Sequence, residues 1–208
     1  MSRRASLIPN KRYDRAYFDR WYRAPRTRID TSDALARKVH VAVSVAEYFL
    51  GRRIASVLDV GCGEGRWYPV LRRMSPSLRY TGVDSSAYVV RRFGRRRNIR
   101  LGTFGTLRSL RLPRGFDLVV CSDVLQYVHA PDLEPGLREV HRLLGGVAYI
   151  EAFTREDDME GDRTGWYERS AASYRQLFRR VGLTSCGVNC FLDPDRLNGV
   201  NVFEIAAS

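Results

Sequence analysis

This sequence has very little lysine, little cysteine and no long apolar run. Only Lys11 and Lys38 are lysines, so arginine supplies nearly all of the positive charge behind a formal net charge of +12. Two explanations of this charge stay open: a codon bias toward arginine, or an anionic partner such as nucleic acid. No apolar run approaches the roughly 20 residues that span a bilayer, and none follows the basic N-terminus as in a secretory signal. We therefore expect a cytoplasmic protein without membrane insertion.

The four cysteines are too few and too scattered for a disulfide framework or for a zinc site built from two CxxC pairs. Only Cys186 and Cys190 are close in sequence, and they fall on a late predicted strand where buried thiols are expected. We predict no metal site. The length of 208 residues suits one well-buried domain with modest appendages.

Strand and helix patterns alternate from residue 54 onward. Strands are predicted at 54–60, 80–84, 99–102, 116–121 and 146–153, with helices at 66–74, 86–96, 132–144 and 170–181. This alternation is typical of a parallel sheet with helices on both faces. Two apolar runs, 183–191 and 200–205, then follow with eight residues between them, too few for a helical crossover, and they predict an antiparallel hairpin. The expected fold is α/β: a doubly wound, mostly parallel seven-stranded sheet that ends in this hairpin.

Two helices are predicted ahead of the sheet. Tyr13, Tyr17 and Trp21 recur every four residues, which indicates an amphipathic helix with an aromatic stripe over 13–23. A second helix begins after a cap at residue 31 or 32 and ends before Gly51. We therefore divide the chain into an N-terminal helical extension, residues 1–52, and a domain of residues 53–208. The extension either closes over the site as a lid or packs on the sheet.

A glycine-rich turn follows the first predicted strand in the run VLDVGCGEG. Gly61, Gly63 and Gly65 allow a tight turn, and the helix behind them offers free N–H groups to a polar, partly anionic ligand. The next strand ends in Asp84, where a carboxylate can accept both hydrogen bonds of a ribose diol. As an exposed acid at a strand end, Asp84 is expected to add little to stability. Folds that bind NAD or FAD use similar turns, so the turn alone does not select a cofactor.

Three details distinguish the sequence from a dinucleotide-binding one: the GxGxG spacing with Arg66 in place of a glycine, Asp59 two residues ahead of the first glycine, and the C-terminal hairpin. On these features it resembles the class I, Rossmann-like S-adenosylmethionine-dependent methyltransferase superfamily. The runs VLDVGCGEG and YTGVD resemble its first and second motifs, and FDLVVCSDVLQYV and LLGGVAYIEAF resemble its fourth and fifth strands. The resemblance covers residues 55–208.

The resemblance implies S-adenosylmethionine as cofactor and a set of residues that hold it. Asp59 would support the glycine turn or the amino group, and Asp84 would hold the ribose hydroxyls. Many relatives place an acid for the adenine amine in the stretch 101–104, which here has none, so Thr103 and Phe104 are expected to contact the adenine instead. The predicted cofactor-binding residues are Asp59, Gly61, Cys62, Gly63, Gly65, Asp84, Ser85, Thr103, Phe104 and Ser122.

Methyl transfer requires a nucleophile held behind the methyl group, and it requires a base only when the acceptor arrives protonated. His129 is the first candidate for a base, because its ordinary pKa near ~6.5 leaves it partly neutral. Its alternative role is a surface histidine at the turn before Pro131. Tyr127 is the second catalytic candidate, with packing as its alternative role.

The resemblance favours a small-molecule acceptor methylated at N or O, because SDVL ends the fourth strand in place of a Pro-Pro or Pro-Cys signature of base methylation. The acidic stretch 156–162, followed by Trp166 and Tyr167, either attracts a cationic amine acceptor or forms a solvated loop. An RNA acceptor is the alternative, favoured by the arginine-rich stretch 91–100. A non-catalytic, cofactor-binding interaction module is a third hypothesis. The sequence does not indicate an oligomeric state.

Overall fold

A seven-stranded sheet forms the centre of the computed structural model, which describes residues 11–24, 26, 31–158 and 162–197. Its strands are β1 (Ser56–Val60), β2 (Arg79–Asp84), β3 (Ile99–Leu101), β4 (Phe116–Ser122), β5 (Leu144–Glu151), β6 (Thr184–Gly187) and β7 (Cys190–Leu192). The spatial order is β3-β2-β1-β4-β5-β7-β6. The first five strands are parallel, and β7 runs antiparallel to both of its neighbours. The predicted α/β fold with its C-terminal hairpin is confirmed.

Helices cover both faces of the sheet. They are α1 (Arg15–Phe18), which continues as a π-helical turn (Asp19–Arg23), α2 (Ser32–Leu50), α3 (Trp67–Met74), α4 (Ala87–Arg97), α5 (Ala130–Leu143) and α6 (Ala171–Arg180). Short 3-10 turns lie at Phe104–Leu110 and Leu125–Tyr127. Within the described part of the chain, no helix has the length and apolar character to cross a membrane.

The two larger hydrophobic clusters of the core lie one on each face of the sheet, because successive strand residues point to opposite sides. Leu118 and Val120 of β4 pack in the cluster that contains α2 and α3, whereas Val119 between them packs in the cluster that contains α5 and α6. The buried side of α2, including Val39 and Val43, is part of the first cluster. This helix of the predicted N-terminal extension therefore shares the core of the sheet.

The ends of α2 are formed by the predicted residues. The Thr31 side chain accepts the N–H of Ala34 at 3.1 Å, as an N-cap should. Gly51 ends the helix in the left-handed conformation, with φ of +62°. The prediction of this helix was accurate because both caps are local features of the sequence.

The C-terminal hairpin differs in its position from the prediction. The run 183–191, predicted as one strand, contains β6 and most of β7, which are joined by a turn at Val188 and Asn189. Both turn residues have positive φ, 45° and 62°. A valine rarely adopts that conformation, so the sequence conceals the turn inside an apolar run. The second predicted strand, 200–205, lies outside the described residues.

The strand order reverses between β1 and β4, because the chain first proceeds from β1 to β2 and β3 and later returns to the other side of β1. In open α/β sheets, ligands bind outside the carboxyl ends of the strands at such a reversal. The topology therefore places the candidate site beyond the ends of β1, β2 and β4.

Candidate active site

A cavity of about 830 Å³ lies at the predicted place, a size typical of ligand sites. Its wall includes both predicted catalytic residues and nine of the ten predicted cofactor-binding residues. These eleven are Asp59, Gly61, Cys62, Gly63, Asp84, Ser85, Thr103, Phe104, Ser122, Tyr127 and His129. Gly65 is not on the wall, and a β-carbon there would face Ile99 and Tyr80.

The cavity wall is acidic and aromatic, although the protein as a whole is strongly basic. The wall contains five aspartates but only three lysine or arginine side chains, and ten of its residues are aromatic. The aspartates are Asp59, Asp84, Asp123, Asp132 and Asp162, and the basic residues are Arg26, Lys38 and Arg66. Carboxylates and aromatic faces both attract cations. The cavity is therefore suited to a ligand that carries positive charge.

The loop after β1 brings bare backbone to the cavity. Gly61 and Gly63 have φ of +71° and +52°, a region that residues with side chains rarely adopt. A β-carbon on Gly61 would overlap the Val124 side chain, and one on Gly63 would overlap the Tyr22 hydroxyl. Both positions therefore require glycine for conformation and for space.

Asp84 is held by this loop and is buried, so the expectation of an exposed acid was wrong. Its carboxylate accepts the N–H of Gly63 at 2.7 Å and the N–H of Ser86 at 2.8 Å, and the residue is 8% exposed. Burial raises the pKa of Asp84, and the two N–H donors oppose that rise. Because two backbone groups depend on this carboxylate, its removal would also affect stability.

Asp59 lies deeper than Asp84 and accepts the Tyr80 hydroxyl at 2.7 Å. It is 3% exposed. Burial raises the pKa of Asp59 to about 7; the Tyr80 hydrogen bond opposes this rise and the charge of Asp84 adds to it. Asp59 thus changes charge near neutral pH, at the base of the cavity.

Thr103 and Phe104 line the cavity, but each has a role in the fold. The Thr103 hydroxyl caps the 3-10 turn that follows it by accepting a main-chain N–H at 3.2 Å. The Phe104 ring is buried against Gly136, where a β-carbon would overlap it. Beside them, the Asp132 carboxylate lies against Gly105. The helix α5, from another part of the chain, thus brings a carboxylate next to the loop after β3.

Cys62 and Ser122 are the remaining polar residues with defined contacts. Burial raises the pKa of the Cys62 thiol well above its ordinary value, so the thiol stays protonated. The Ser122 hydroxyl donates to Glu151 Oε2 at 2.7 Å, and Lys38 Nζ lies 2.9 Å from the same oxygen. Glu151 and Lys38 thereby fix the edge of the cavity at the ends of β4 and β5.

The two predicted catalytic residues differ in their surroundings. Tyr127 donates its hydroxyl to the main-chain oxygen of Asp162 at 2.7 Å, and burial raises its pKa to about 12. His129 is exposed at the N-terminus of α5, with its ring centre 5.5 Å from that of Tyr167. Between β4 and these residues, Asp123 faces the cavity with φ of +59°, an uncommon conformation that tends to occur at functional sites.

Residues 11–24, which we call the N-terminal aromatic segment, cover the glycine loop. Phe18 is 2% exposed and packs with Cys62 and Val89. Arg23 pairs with Glu64 of the loop at 2.5 Å. The predicted aromatic helix is thus present and lies over the site.

The decisive comparison is with protein families. A family model described as a methyltransferase domain matches residues 57–146, which include the glycine loop, Asp84 and the end of β4. Residues 57–146 therefore form a methyltransferase domain, and this match together with the fold supports the class I S-adenosylmethionine-dependent methyltransferase superfamily. The match confirms the predicted superfamily, and with it the predicted enzyme class and cofactor at the level of the domain.

Solved structures show the same fold as this methyltransferase domain. One is the plantazolicin methyltransferase BamL in complex with a desmethylPZN analog and SAH, at 16% identity and a TM-score of 0.60 over 73% of this chain and 65% of that one. Another is the [4+2]-cyclase SpnF, at 23% identity and a TM-score of 0.56 over 79% of this chain and 62% of that one. A third is a SAM-dependent methyltransferase from Archaeoglobus fulgidus, at 15% identity and a TM-score of 0.62 over 81% and 73%. A search of curated proteins gave no match.

The cavity also has residues that the sequence did not predict. Lys11 Nζ lies 2.6 Å from Asp162 Oδ2, over the ring of Tyr127. Gln126 lines the cavity at 2% exposure, and within the described residues its side-chain oxygen has no hydrogen-bond partner. One signal could have found part of this set: the sequence has only two lysines, and both form ion pairs at this cavity.

Proposed function

We propose that the protein binds S-adenosylmethionine in this cavity and transfers the methyl group to N or O of a small molecule. The acidic and aromatic wall in a basic protein carries the proposal, because it suits a cofactor with a sulfonium and an ammonium group. The cofactor supplies an electrophilic methyl group on sulfur. The protein binds the cofactor and the acceptor, orients them and excludes water from the reaction.

The residues present fit this cofactor. Asp84 holds the ribose hydroxyls, with its carboxylate oriented by the N–H groups of Gly63 and Ser86. Asp59 supports the glycine loop or accepts a hydrogen bond from the amino group. Asp132 accepts the adenine amine in place of the missing acid, while Phe104 packs on the purine. Cys62, Ser85 and Ser122 complete the predicted set along the wall, while Thr103 serves the site as the cap of the 3-10 turn.

Acceptor activation is assigned to His129 and not to Tyr127. A phenol whose pKa is raised to about 12 stays protonated at neutral pH, so Tyr127 acts as a wall of the acceptor site. His129 lies at the exposed rim, from which it can pass a proton to water. Asp123 is the second candidate for a base, because it faces the cavity from the end of β4.

The N-terminal aromatic segment is proposed as the lid of the predicted extension. It contacts the glycine loop through Tyr22 and Arg23, and it adds aromatic rings to the cavity wall. The remaining helix of the extension, α2, belongs to the core layer of the sheet. A lid of this kind excludes water from the reacting groups.

RNA is the second candidate for the acceptor. Arg91, Arg92, Arg95 and Arg96 are exposed on α4, and they form a basic surface outside the cavity. Other arginines of the predicted stripe serve the fold, since Arg97 donates to main-chain oxygens of the glycine loop. The acidic cavity wall favours a small cation over a polyanion.

Methyl transfer itself needs a test, because related folds host other reactions and some bind without catalysis. One structural neighbour of this chain is a [4+2]-cyclase. Turnover in a panel of amines and alcohols distinguishes methyl transfer from both alternatives. Cofactor binding without any methylated product would favour the non-catalytic module.

The first experiment is isothermal titration of the wild type with S-adenosylmethionine, S-adenosylhomocysteine and NAD. We expect the first two to bind and NAD not to bind. Asp84→Asn keeps the shape but weakens the ribose contacts, and it should lower the affinity by about tenfold or more. Glu134→Gln is the control, since Glu134 of α5 pairs with Arg138 and with Arg180 of α6 and is not on the cavity wall; this variant should bind S-adenosylmethionine like the wild type. Binding of NAD alone would overturn the proposal.

A further inference from the structure

The ammonium group of Lys11 is enclosed by aromatic rings and one carboxylate. Its Nζ atom lies 3.8 Å from the ring centre of Tyr127, 5.2 Å from that of Tyr17 and 5.3 Å from that of Tyr13. Asp162 Oδ2 is 2.6 Å away, and the lysine side chain is 10% exposed. Three rings within about 6 Å of one cation form an aromatic cage. We call these three tyrosines and Asp162 the tyrosine cage.

The tyrosine cage belongs to the same cavity as the cofactor-binding residues. Its three rings and Asp162 all line that cavity, and Asp84 lines it as well. Burial raises the pKa of each cage tyrosine, so the rings stay neutral. The cage is therefore a neutral aromatic wall with a single carboxylate beside the cofactor site.

Lysine at this position stands out against the rest of the chain. Apart from Lys11 and Lys38, every basic residue other than histidine is an arginine. Lysine presents a compact ammonium on a flexible stem, whereas arginine presents a wide planar group. A pocket that encloses the first is shaped for a primary alkylammonium. Burial lowers the pKa of Lys11, although Asp162 opposes this shift. Enclosing the charged ammonium group therefore costs free energy.

We propose that the tyrosine cage is the acceptor subsite, that it recognises an alkylammonium group of the acceptor, and that Lys11 occupies it as an internal substitute until the acceptor displaces it. This inference rests on the proposed function, because it assigns the acceptor half of the same cavity. It concerns binding of the ammonium group and leaves open which atom of the acceptor is methylated. The unpartnered oxygen of Gln126 supplies a further acceptor of hydrogen bonds on this wall.

The test uses n-butylammonium as the probe and n-butanol as its neutral counterpart. Lys11→Met removes the internal ammonium but keeps an unbranched side chain, so it should bind n-butylammonium at least about tenfold more tightly than the wild type. Butanol should show no such gain. Adding Asp162→Asn to Lys11→Met should abolish the gain, because the cage then lacks its carboxylate. Arg92→Met is the matched control: it removes a cation over an aromatic ring outside the cavity and should bind like the wild type.

A second measurement uses the wild type and does not depend on how the variants fold. Acylation of the two lysines by an amine-reactive ester, followed by mass spectrometry, reports the ratio of Lys11 to Lys38 modification. Reagent consumed by the probe cancels in this ratio. n-Butylammonium should raise the ratio by displacing Lys11 from the cage, and butanol should leave it unchanged.

The two proposals fail in different ways. Suppose that S-adenosylmethionine binds, that Lys11→Met binds n-butylammonium no more tightly than the wild type does, and that n-butylammonium leaves the acylation ratio unchanged. The tyrosine cage is then not an ammonium subsite. If the cage binds the probe while S-adenosylmethionine does not bind, the cofactor assignment fails and the ammonium site stands.

Discussion

Replacement of Asp59 by asparagine tests whether burial really holds this carboxyl protonated. Its pKa is raised from an ordinary value of 3.8 to about 7. Between these values the unfolded chain ionises the group while the folded protein keeps it protonated, so folding takes up a proton and stability falls as the pH rises. About three pKa units at about 1.4 kcal/mol each correspond to about 4 kcal/mol. The side chain introduced by Asp59→Asn cannot ionise and still offers an oxygen to the Tyr80 hydroxyl.

The assay is urea unfolding of the wild type and Asp59→Asn, followed by tryptophan fluorescence at several pH values. The free energy of unfolding of Asp59→Asn, relative to the wild type, should increase by about 4 kcal/mol between about pH 4 and 8. A difference that stays constant across this range would refute the reasoning.

Asp117 provides the control for this measurement at the opposite end of the sheet. Burial would raise its pKa, but Arg52 and the N–H groups of Ala55 and Ser56 hold the pKa below its ordinary value. The contribution of the Asp117 carboxylate to stability is therefore complete above about pH 4 and is lost only as the pH falls further. The difference in the free energy of unfolding between Asp117→Asn and the wild type should stay constant over the pH range in which the corresponding difference for Asp59→Asn rises.

Two further substitutions separate roles in the fold from roles in binding. Gly61→Ala should abolish cofactor binding or folding, because its β-carbon would overlap the Val124 side chain. Gly51→Ala has a similar φ but no atom within 4 Å of the added β-carbon, so it should lower the free energy of unfolding in urea by only about 1 kcal/mol. Equal effects of the two substitutions would contradict the close approach of Val124 to Gly61. Thr103→Val should lower stability by about 1 kcal/mol through loss of the cap and leave the affinity for S-adenosylmethionine unchanged in calorimetry. A tenfold loss of affinity at unchanged stability would instead restore the predicted adenine contact.

Much of the fold could be predicted because its signals are local. The strand ends of β1 and β2, the glycine loop and the caps of α2 each depend on residues that are neighbours in sequence. The hairpin turn at Val188 could not be located, since a β-branched residue at positive φ contradicts ordinary turn chemistry. Local patterns thus fail where tertiary packing imposes an unfavourable conformation.

The site was predicted only in part, because several of its contacts join distant parts of the chain. Asp132 lies at the end of β3 only through the packing of α5 against the 3-10 turn before β4. Lys11, the first described residue, meets Asp162 in the loop between β5 and α6. The burial of Asp84 likewise depends on the loop that folds over it. Spacing along the sequence contains none of this information.

The N-terminal aromatic segment has a kinetic consequence. Phe18, Tyr22 and Arg23 join the cover of the site to the loop that forms its floor, so ligand exchange requires these contacts to break. On the proposed function, the spent cofactor leaves only after the segment has opened. If this opening is slower than methyl transfer, a first round of product would appear faster than every later one.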